Sequence, residues 1–183
     1  MAVNWIQNYG FGHTVIGRLI GTQLTYPQTW VGWINAASTW VASDKFVMTL
    51  LHGTNGDGLR VQLSSPSVAT NPPAPGSTYV INGAIGDFIS TDLCPSDPVL
   101  FNSWVHFAVI WRGAGTATTP TAIDIYINGV LQNSIVPTLG PTDTVSQYSI
   151  GGYNGGATST QAITDTCLAD VARFTVAVPD SEI

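Results

Sequence analysis

Short apolar runs, in which hydrophobic and polar residues alternate with a period of two, recur along most of the chain. This period is typical of half-buried β-strands. No long segment shows the 3.6-residue period of an amphipathic helix, so the pattern predicts an all-β protein. The runs that predict strands are residues 30–34, 46–52, 59–63, 79–81, 84–89, 104–111, 123–127, 130–134, 149–152 and 168–176.

Turn sequences rich in Asn, Asp and Gly separate several of these runs. They supply the positive φ angles that tight hairpins need. We predict hairpins at residues 55–58, 82–83 and 128–129, loops at 64–77 and 92–98, and a short helical turn at 179–183. About ten short strands with frequent turns predict an antiparallel sandwich or barrel.

Composition narrows the class of protein. The chain has 183 residues, 44% of them hydrophobic and 9% charged, with a formal net charge of −6. The hydrophobic content excludes intrinsic disorder, and the length suits a single domain with a sizeable core. The acidic balance argues against nucleic-acid partners, which need basic patches. No apolar stretch has the ~20 residues of a membrane-spanning helix, so we expect no membrane insertion.

The N-terminus and the cysteines bear on the compartment. Residues 1–16 lack the basic and apolar regions of a secretory leader, so we expect synthesis without one. Cys94 and Cys167 are too few for a disulfide scaffold. Two reduced, buried thiols are the simpler interpretation, and one bridge across the fold is the alternative. A surface rich in Ser, Thr, Asn and Gly without a leader favours a virion protein, which is made inside a cell and acts outside it.

Motifs in both halves of the chain resemble the laminin-G-like branch of the concanavalin A-like lectin/glucanase jelly rolls. The order and spacing of the motifs carry the resemblance, which extends over residues 24–183. In the first half they are WVGWI at 30–34 and DGLRV at 57–61. In the second half they are NSWVHFAV at 102–109, IYING at 125–129, SIGG at 149–152, CLADVARF at 167–174 and VPDSEI at 178–183.

This resemblance implies a two-sheet antiparallel β-sandwich, a concanavalin A-like jelly roll, over residues 24–183. Residues 1–23 are expected to form an N-terminal arm or an edge strand. The fold hosts lectins, enzymes and scaffolds alike, so function depends on particular side chains.

Catalytic chemistry finds little support in the sequence. Glycosidase relatives need a pair of carboxylates ~5–10 Å apart, whereas Glu182 is the only glutamate and no Asp-x-Asp occurs. His13, His52 and His106 accompany neither a Gly-x-Ser-x-Gly elbow nor a zinc motif. For His106 a structural, hydrogen-bonded role in the core or at an interface is the simpler interpretation. We therefore expect no enzyme, with a glycoside hydrolase as a remote alternative.

Binding chemistry is more plausible. A sugar offers an apolar C–H face and a ring of hydroxyls, so it needs an aromatic platform beside amides or carboxylates. Trp40, Tyr153 and Asn154 are the carbohydrate-binding candidates, although core packing remains an equal alternative for the two aromatic residues. For the other tryptophans we predict core packing or subunit contacts: Trp5, Trp30, Trp33, Trp104 and Trp111.

Calcium is the metal to consider, because loop carboxylates and amides suit a hard cation and relatives carry such a site at the rim of the sandwich. Asn55 and Asp57 are the candidate ligands, and Asp87, Asp92 and Asp97 form a second set. The alternative is that these side chains cap turns. No cofactor is required by the sequence.

The combined expectation is a non-catalytic structural or binding module of a phage virion surface protein, in a head decoration or associated with the tail. Mean hydropathy of +0.22 is high for a lone monomer, so we expect it to pack on other virion proteins or on itself, as a homo-oligomer such as a trimer. Cell-surface glycans are the other expected partner. The alternative is a calcium-assisted lectin-like adhesin, located outside the cell or on its surface.

Overall fold

The computed structural model describes residues 14–17, 22–23, 27–36, 45–52, 57–64, 78–86, 91–113, 122–138, 144–145, 147–151 and 166–183. The strands in these ranges are β1 (Thr14–Gly17), β2 (Thr22–Gln23), β3 (Gln28–Ala36), β4 (Lys45–His52), β5 (Asp57–Ser64), β6 (Thr78–Gly86), β7 (Thr91–Pro95), β8 (Val99–Leu100), β9 (Val105–Trp111), β10 (Ile123–Ile127), β11 (Val130–Ile135), β12 (Thr144–Val145), β13 (Gln147–Ile150) and β14 (Thr166–Phe174). The 3₁₀ turn Asp180–Glu182 confirms the helical turn expected near the end of the sequence. Across these ranges we find no helix with the length and apolarity needed to span a membrane.

The described strands form two main sheets, and every pairing in them is antiparallel. The seven-stranded sheet has the order β1-β13-β4-β5-β6-β7, with β8 also paired to β6. The five-stranded sheet has the order β11-β10-β9-β3-β14, and a short β12–β2 pair completes the set. This arrangement confirms the predicted all-β, two-sheet sandwich.

The core lies between the facing sides of the two sheets. Because side chains alternate along a strand, every second residue points into this layer. The rings of Trp30 and Trp111 meet edge to face in it, with centroids 4.8 Å apart and planes at 61°. Full burial of each large apolar side chain contributes roughly 1.5–3 kcal/mol. Further members of this layer are Ile34, Phe107, Val109, Ile123 and Ile125 from one sheet and Met48, Leu59, Val61, Leu63, Ile81 and Ile85 from the other.

The hairpin predicted at Asn82-Gly83 is wrong. Both residues lie in the middle of β6, which continues from Thr78 to Gly86 and pairs with β5 and β7. Gly83 faces the core, where an added Cβ would lie 2.5 Å from Cγ1 of Val109 and 3.0 Å from Cγ2 of Ile123. The glycine therefore allows the five-stranded sheet to approach closely. Glycine within a strand often marks such a close approach, just as glycine between strands often marks a turn.

The loop predicted at residues 92–98 is also partly wrong, because β7 occupies Thr91–Pro95. Pairing with β6 overrides the turn-forming composition, and Pro95 is tolerated at the last position of a strand at the sheet edge. The hairpin at Asn128-Gly129 is confirmed. These residues have φ angles of 51° and 78°, as a tight two-residue turn requires, and they join β10 to β11.

The two cysteines are both free thiols, but only one of them is buried as predicted. Cys94 on β7 is fully buried, and its thiol donates to the carbonyl of Ile123 at 3.2 Å. Cys167 on β14 is exposed. Burial, together with the nearby charge of Asp124, raises the pKa of Cys94 to about 11.

Candidate functional site

Most of the side chains predicted for sugar and calcium binding lie outside the described residues. These are Trp40, Tyr153 and Asn154 for sugar and Asn55 for calcium. Asp57 begins β5, where its backbone is in register with His52 of β4. Neither prediction is therefore tested by the structure, and both remain hypotheses.

The second calcium set is partly visible. Asp87 lies outside the described residues, whereas the Asp92 carboxylate accepts hydrogen bonds from the backbone N–H of Thr138 at 2.6 Å and from its hydroxyl. Asp92 thus ties β7 to the segment after β11, across 46 positions of sequence, which is neither a metal site nor the local turn capping considered as the alternative. Within the ranges that the structure describes, no three His, Cys, Asp or Glu side chains come together as metal ligands.

The outward side of the five-stranded sheet is divided into a covered half and an open half. The C-terminal segment, residues 175–183, lies across the covered half. Its Ala177 and Ile183 pack on Ala108, Ile110 and Tyr126. The hydroxyl of Thr29 donates to the carbonyl of Val176 at 2.7 Å and accepts from the N–H of Val178 at 3.0 Å, which fixes the segment to β3.

Arg112 secures the same segment through two carboxylates. Its Nε donates to Asp124 on β10, and Nη2 donates to Asp180 at 2.5 Å and to the Tyr126 hydroxyl at 3.3 Å. Asp124 is nearly buried and also accepts from the hydroxyl of Ser134. Hydrogen bonds from Arg112 and then from Tyr126 lower the pKa of Asp180. A catalytic acid needs a raised pKa, so Asp180 suits a structural clasp better than proton donation.

The open half carries what we call the aromatic patch, formed by Trp33, His106 and Trp104. Trp33 of β3 is directly opposite His106 of β9, and their rings lie 5.3 Å apart between centroids, with planes at 58°. Trp104 precedes β9, and its alternation with buried Val105 places it on the same outward side as His106. The exposed fractions are 39% for Trp33 and 48% for Trp104, which is high for such large apolar side chains.

The backbone holds the patch firmly. The N–H of His106 donates to Oδ1 of Asn128 at 3.0 Å, and the N–H of Asn128 donates to the carbonyl of His106 at 2.9 Å. At the other end, the N–H of Asn102 donates to the carbonyl of Ala36 at 2.8 Å, which fixes the approach to Trp104. Partial burial lowers the pKa of His106, so at neutral pH its imidazole is uncharged, with one donor and one acceptor.

For Trp33 and Trp104 we predicted core packing or a subunit contact, and their exposure shows that core packing is wrong for both. Trp30 and Trp33 are three positions apart in one strand, and an odd spacing places two side chains on opposite faces. Trp104 and Trp111, seven positions apart, obey the same rule. Since Trp30 and Trp111 are in the core, the sequence already contained the signal that the other two face outward. Their subunit-contact alternative remains open.

The comparisons with known proteins agree with this architecture. The sequence matches the family described as the Concanavalin A-like lectin/glucanases superfamily over residues 16–183. A search of curated proteins found no match.

Solved structures with low sequence identity share the fold. A native heptameric SAP-like pentraxin from Limulus polyphemus has a TM-score of 0.66 and 14% identity, covering 97% of this chain and 76% of its own. A candidate carbohydrate-binding protein from Bacteroides ovatus has a TM-score of 0.60 and 16% identity, covering 99% of this chain and 46% of its own. A sialidase from Trypanosoma rangeli has a TM-score of 0.59 and 12% identity, covering 86% of this chain and 22% of its own.

A structure of botulinum neurotoxin type C, from work on its interaction with two ganglioside molecules, has a TM-score of 0.53 and 12% identity. The match covers 85% of this chain and 34% of the neurotoxin chain. Apart from the pentraxin, these proteins are more than twice as long as the matched chain. The likeness at these identities concerns the fold. The family match over residues 16–183 shows that the chain belongs to the Concanavalin A-like lectin/glucanases superfamily.

Proposed function

We propose that this domain is a non-catalytic binding module of a phage virion surface protein. The observation that carries the binding role is the aromatic patch: the chain covers one half of the sheet face with its own C-terminal segment and leaves two indoles exposed on the other half. Exposed aromatic groups beside polar ones are typical of recognition surfaces.

Binding is favoured over catalysis by the state of the described carboxylates. The hydrogen bond from Arg112 lowers the pKa of Asp180, which makes this carboxyl unsuited to donating a proton to a leaving group. Asp124 is bonded to the same guanidinium and to the hydroxyl of Ser134. Asp92 is engaged by Thr138. The sialidase that shares the fold matches over only 22% of its own length, so its reaction is not transferred to this chain.

The virion location rests on composition and on the exposed apolar groups. A net charge of −6 with few charged residues suits protein contacts better than nucleic-acid contacts. Exposed aliphatic side chains on and after β11 add to the surface available for packing on other virion proteins or on a second copy: Val130, Leu131 and Val136. The heptameric pentraxin is a precedent for assembly of this fold. We expect a homo-oligomer, and a trimer is the symmetry to test first.

Mass spectrometry of purified phage particles tests the location. We expect the chain in many copies per particle, and labelled antibodies seen by electron microscopy distinguish a head decoration from a tail position. Absence of the chain from intact, infectious particles would contradict the virion role. Multi-angle light scattering of the purified protein gives its oligomeric state in parallel.

A lectin-like adhesin is the second candidate, located outside the cell or on its surface. It is favoured by the fold shared with the candidate carbohydrate-binding protein and with the neurotoxin studied with gangliosides. In this case Trp40, Tyr153 and Asn154 bind the sugar on rim loops, and Asn55 and Asp57 hold calcium. Glycan binding that is lost with EDTA and in Tyr153→Ala would support it, and binding unchanged by both would refute the calcium-assisted site.

A further inference from the structure

We infer that the aromatic patch is a binding site for neutral glycans, on the flat face of the five-stranded sheet and separate from the rim loops. The inference deepens the proposed binding function and rests on it. Trp33 lies on β3 and Trp104 directly precedes the adjacent strand β9. Their positions are diagonal, since Trp33 is opposite His106 and Trp104 is two residues before it. Diagonal neighbours in a sheet are roughly 7–8 Å apart, so two indoles form one platform.

The platform matches the two kinds of surface that a sugar presents. The exposed indole faces suit the apolar C–H face of a pyranose ring. The uncharged imidazole of His106 lies against Trp33 and offers a donor and an acceptor to hydroxyl groups. Asn35, two residues after Trp33 on the same outward side of β3, adds an amide that is half buried. Apolar walls with few polar groups are the usual composition of small-ligand sites.

Charge selects neutral sugars over acidic ones. Among the residues that the structure describes, Lys45 begins β4 of the seven-stranded sheet and Arg60 is buried in that sheet. Arg112 is engaged by Asp124 and Asp180, and Arg173 donates to Gln28. None of these cations lies beside Trp33 or His106 in the strand register. A carboxylated sugar would therefore lose hydration at the patch without gaining an ion pair from any of the described cations.

A second copy of the chain is the competing occupant of the patch. The exposed aliphatic side chains that favour contact between copies, Val130 and Leu131, are on β11 at the edge of the sheet. The patch lies on β3 and on the start of β9 with the residue before it, further inside the sheet, where its side chains are aromatic and amide groups. This separation favours a glycan on the patch and leaves the sheet edge for assembly.

A glycan array with matched neutral and sialylated structures, followed by calorimetry on the best neutral glycan, tests the inference. We expect Trp33→Ala and Trp104→Ala each to weaken binding at least tenfold, with Trp33→Phe keeping most of the affinity. Because both side chains are partly exposed, the melting temperature and the near-ultraviolet circular dichroism confirm that each variant is folded. Leu131→Ala is the matched control, and its glycan affinity should be unchanged.

Four other results would each contradict the inference, and each points to a different explanation. If neutral glycans bind equally well to Trp33→Ala and Trp104→Ala but not to Tyr153→Ala, the binding function stands and its site is at the rim. A preference for sialylated glycans contradicts the argument from charge. If the two tryptophan variants dissociate an oligomer that Leu131→Ala leaves intact, the patch is a subunit contact. If the wild type binds no glycan and no particle protein, the proposed function fails as well.

Discussion

Replacing Gly83 by alanine tests whether β6 is a continuous strand facing the opposite sheet. The added methyl group would lie 2.5 Å from Cγ1 of Val109 and 3.0 Å from Cγ2 of Ile123. Both neighbours are fully buried and β-branched, so their χ1 angles cannot change cheaply. The clash can therefore be relieved only by moving the two sheets apart or by strained rotamers.

The magnitude follows from two opposing effects. Overpacking a dense core costs about 1–3 kcal/mol, whereas replacing a strand glycine by alanine gains about 0.5–1 kcal/mol from reduced freedom of the unfolded chain. The steric cost should prevail, because the shorter of the two distances is well below any normal carbon–carbon contact. For a domain of this size, 1 kcal/mol corresponds to a change of about 2–4 °C in melting temperature. A net loss of about 1–2 kcal/mol, after subtraction of the gain from the unfolded chain, gives an expected decrease of about 2–8 °C.

Urea denaturation and thermal unfolding of Gly83→Ala, Val109→Ala and the double variant provide the assay. The double variant should be more stable than the sum of the single effects, since shortening Val109 makes room for the methyl group. Gly32→Ala is the matched control: its Cβ would meet Phe107 and Val171 at 3.1 Å, so a smaller effect is expected. No loss of stability in Gly83→Ala, or no coupling to Val109, would refute the close approach of the sheets at this position.

Three further predictions concern the clasp and the cysteines. Arg112→Ala leaves the nearly buried Asp124 carboxylate without its cation, so we expect a loss of about 1–3 kcal/mol in urea denaturation; an unchanged midpoint would contradict the clasp. The pKa of Asp180 is lowered in the folded state, so its stabilising contribution is complete above its unfolded pKa and is lost as the pH falls through the folded value. The hydrogen-exchange protection factors of residues 175–183, which are corrected for the intrinsic pH dependence of exchange, should therefore fall in acid. In Asp180→Asn they should already be low at neutral pH, and a further fall in acid of the same size would contradict this role of Asp180. Cys94 is buried with a pKa of about 11, whereas Cys167 is exposed. A thiol reagent should therefore modify only Cys167 rapidly in the native protein and both thiols after denaturation. Rapid modification of native Cys167→Ser, in which Cys94 is the remaining thiol, would contradict this prediction.

The parts of the fold that depend on neighbouring residues were predictable from the sequence. The alternation of apolar and polar residues predicted most strands. Asn128-Gly129 predicted its hairpin because Asn and Gly readily adopt the positive φ angles that a two-residue turn requires. Asn82-Gly83 looked the same but had a different role. The reason that position 83 must be glycine lies in Val109 and Ile123 of the opposite sheet, and a local pattern contains no information about them.

In the candidate site too, the local sequence predicts the face on which a side chain lies but not the distant residues beside it. That Trp33 and Trp104 face outward follows from parity along each strand, but their proximity follows from the pairing of β3 with β9, which brings together residues about 70 positions apart. The helical turn near the C-terminus was predictable, whereas its fixation by Arg112 joins residues 68 positions apart and was not. Trp40, Tyr153 and Asn154 lie outside the described part of the chain, so their predicted role in sugar binding on rim loops remains a hypothesis.

The position of the C-terminal segment on the five-stranded sheet has a practical consequence for handling the protein. The carbonyl oxygen of Ile183 lies 3.7 Å from where a side chain on Gly129 would begin, and the neighbouring Asn128 is bonded to His106 of the aromatic patch. Any peptide fused after Ile183 would thus emerge within reach of Trp33 and Trp104. A purification tag placed there could shield the indoles from a ligand, so recombinant versions used for binding measurements should carry the tag at the other terminus or have it removed.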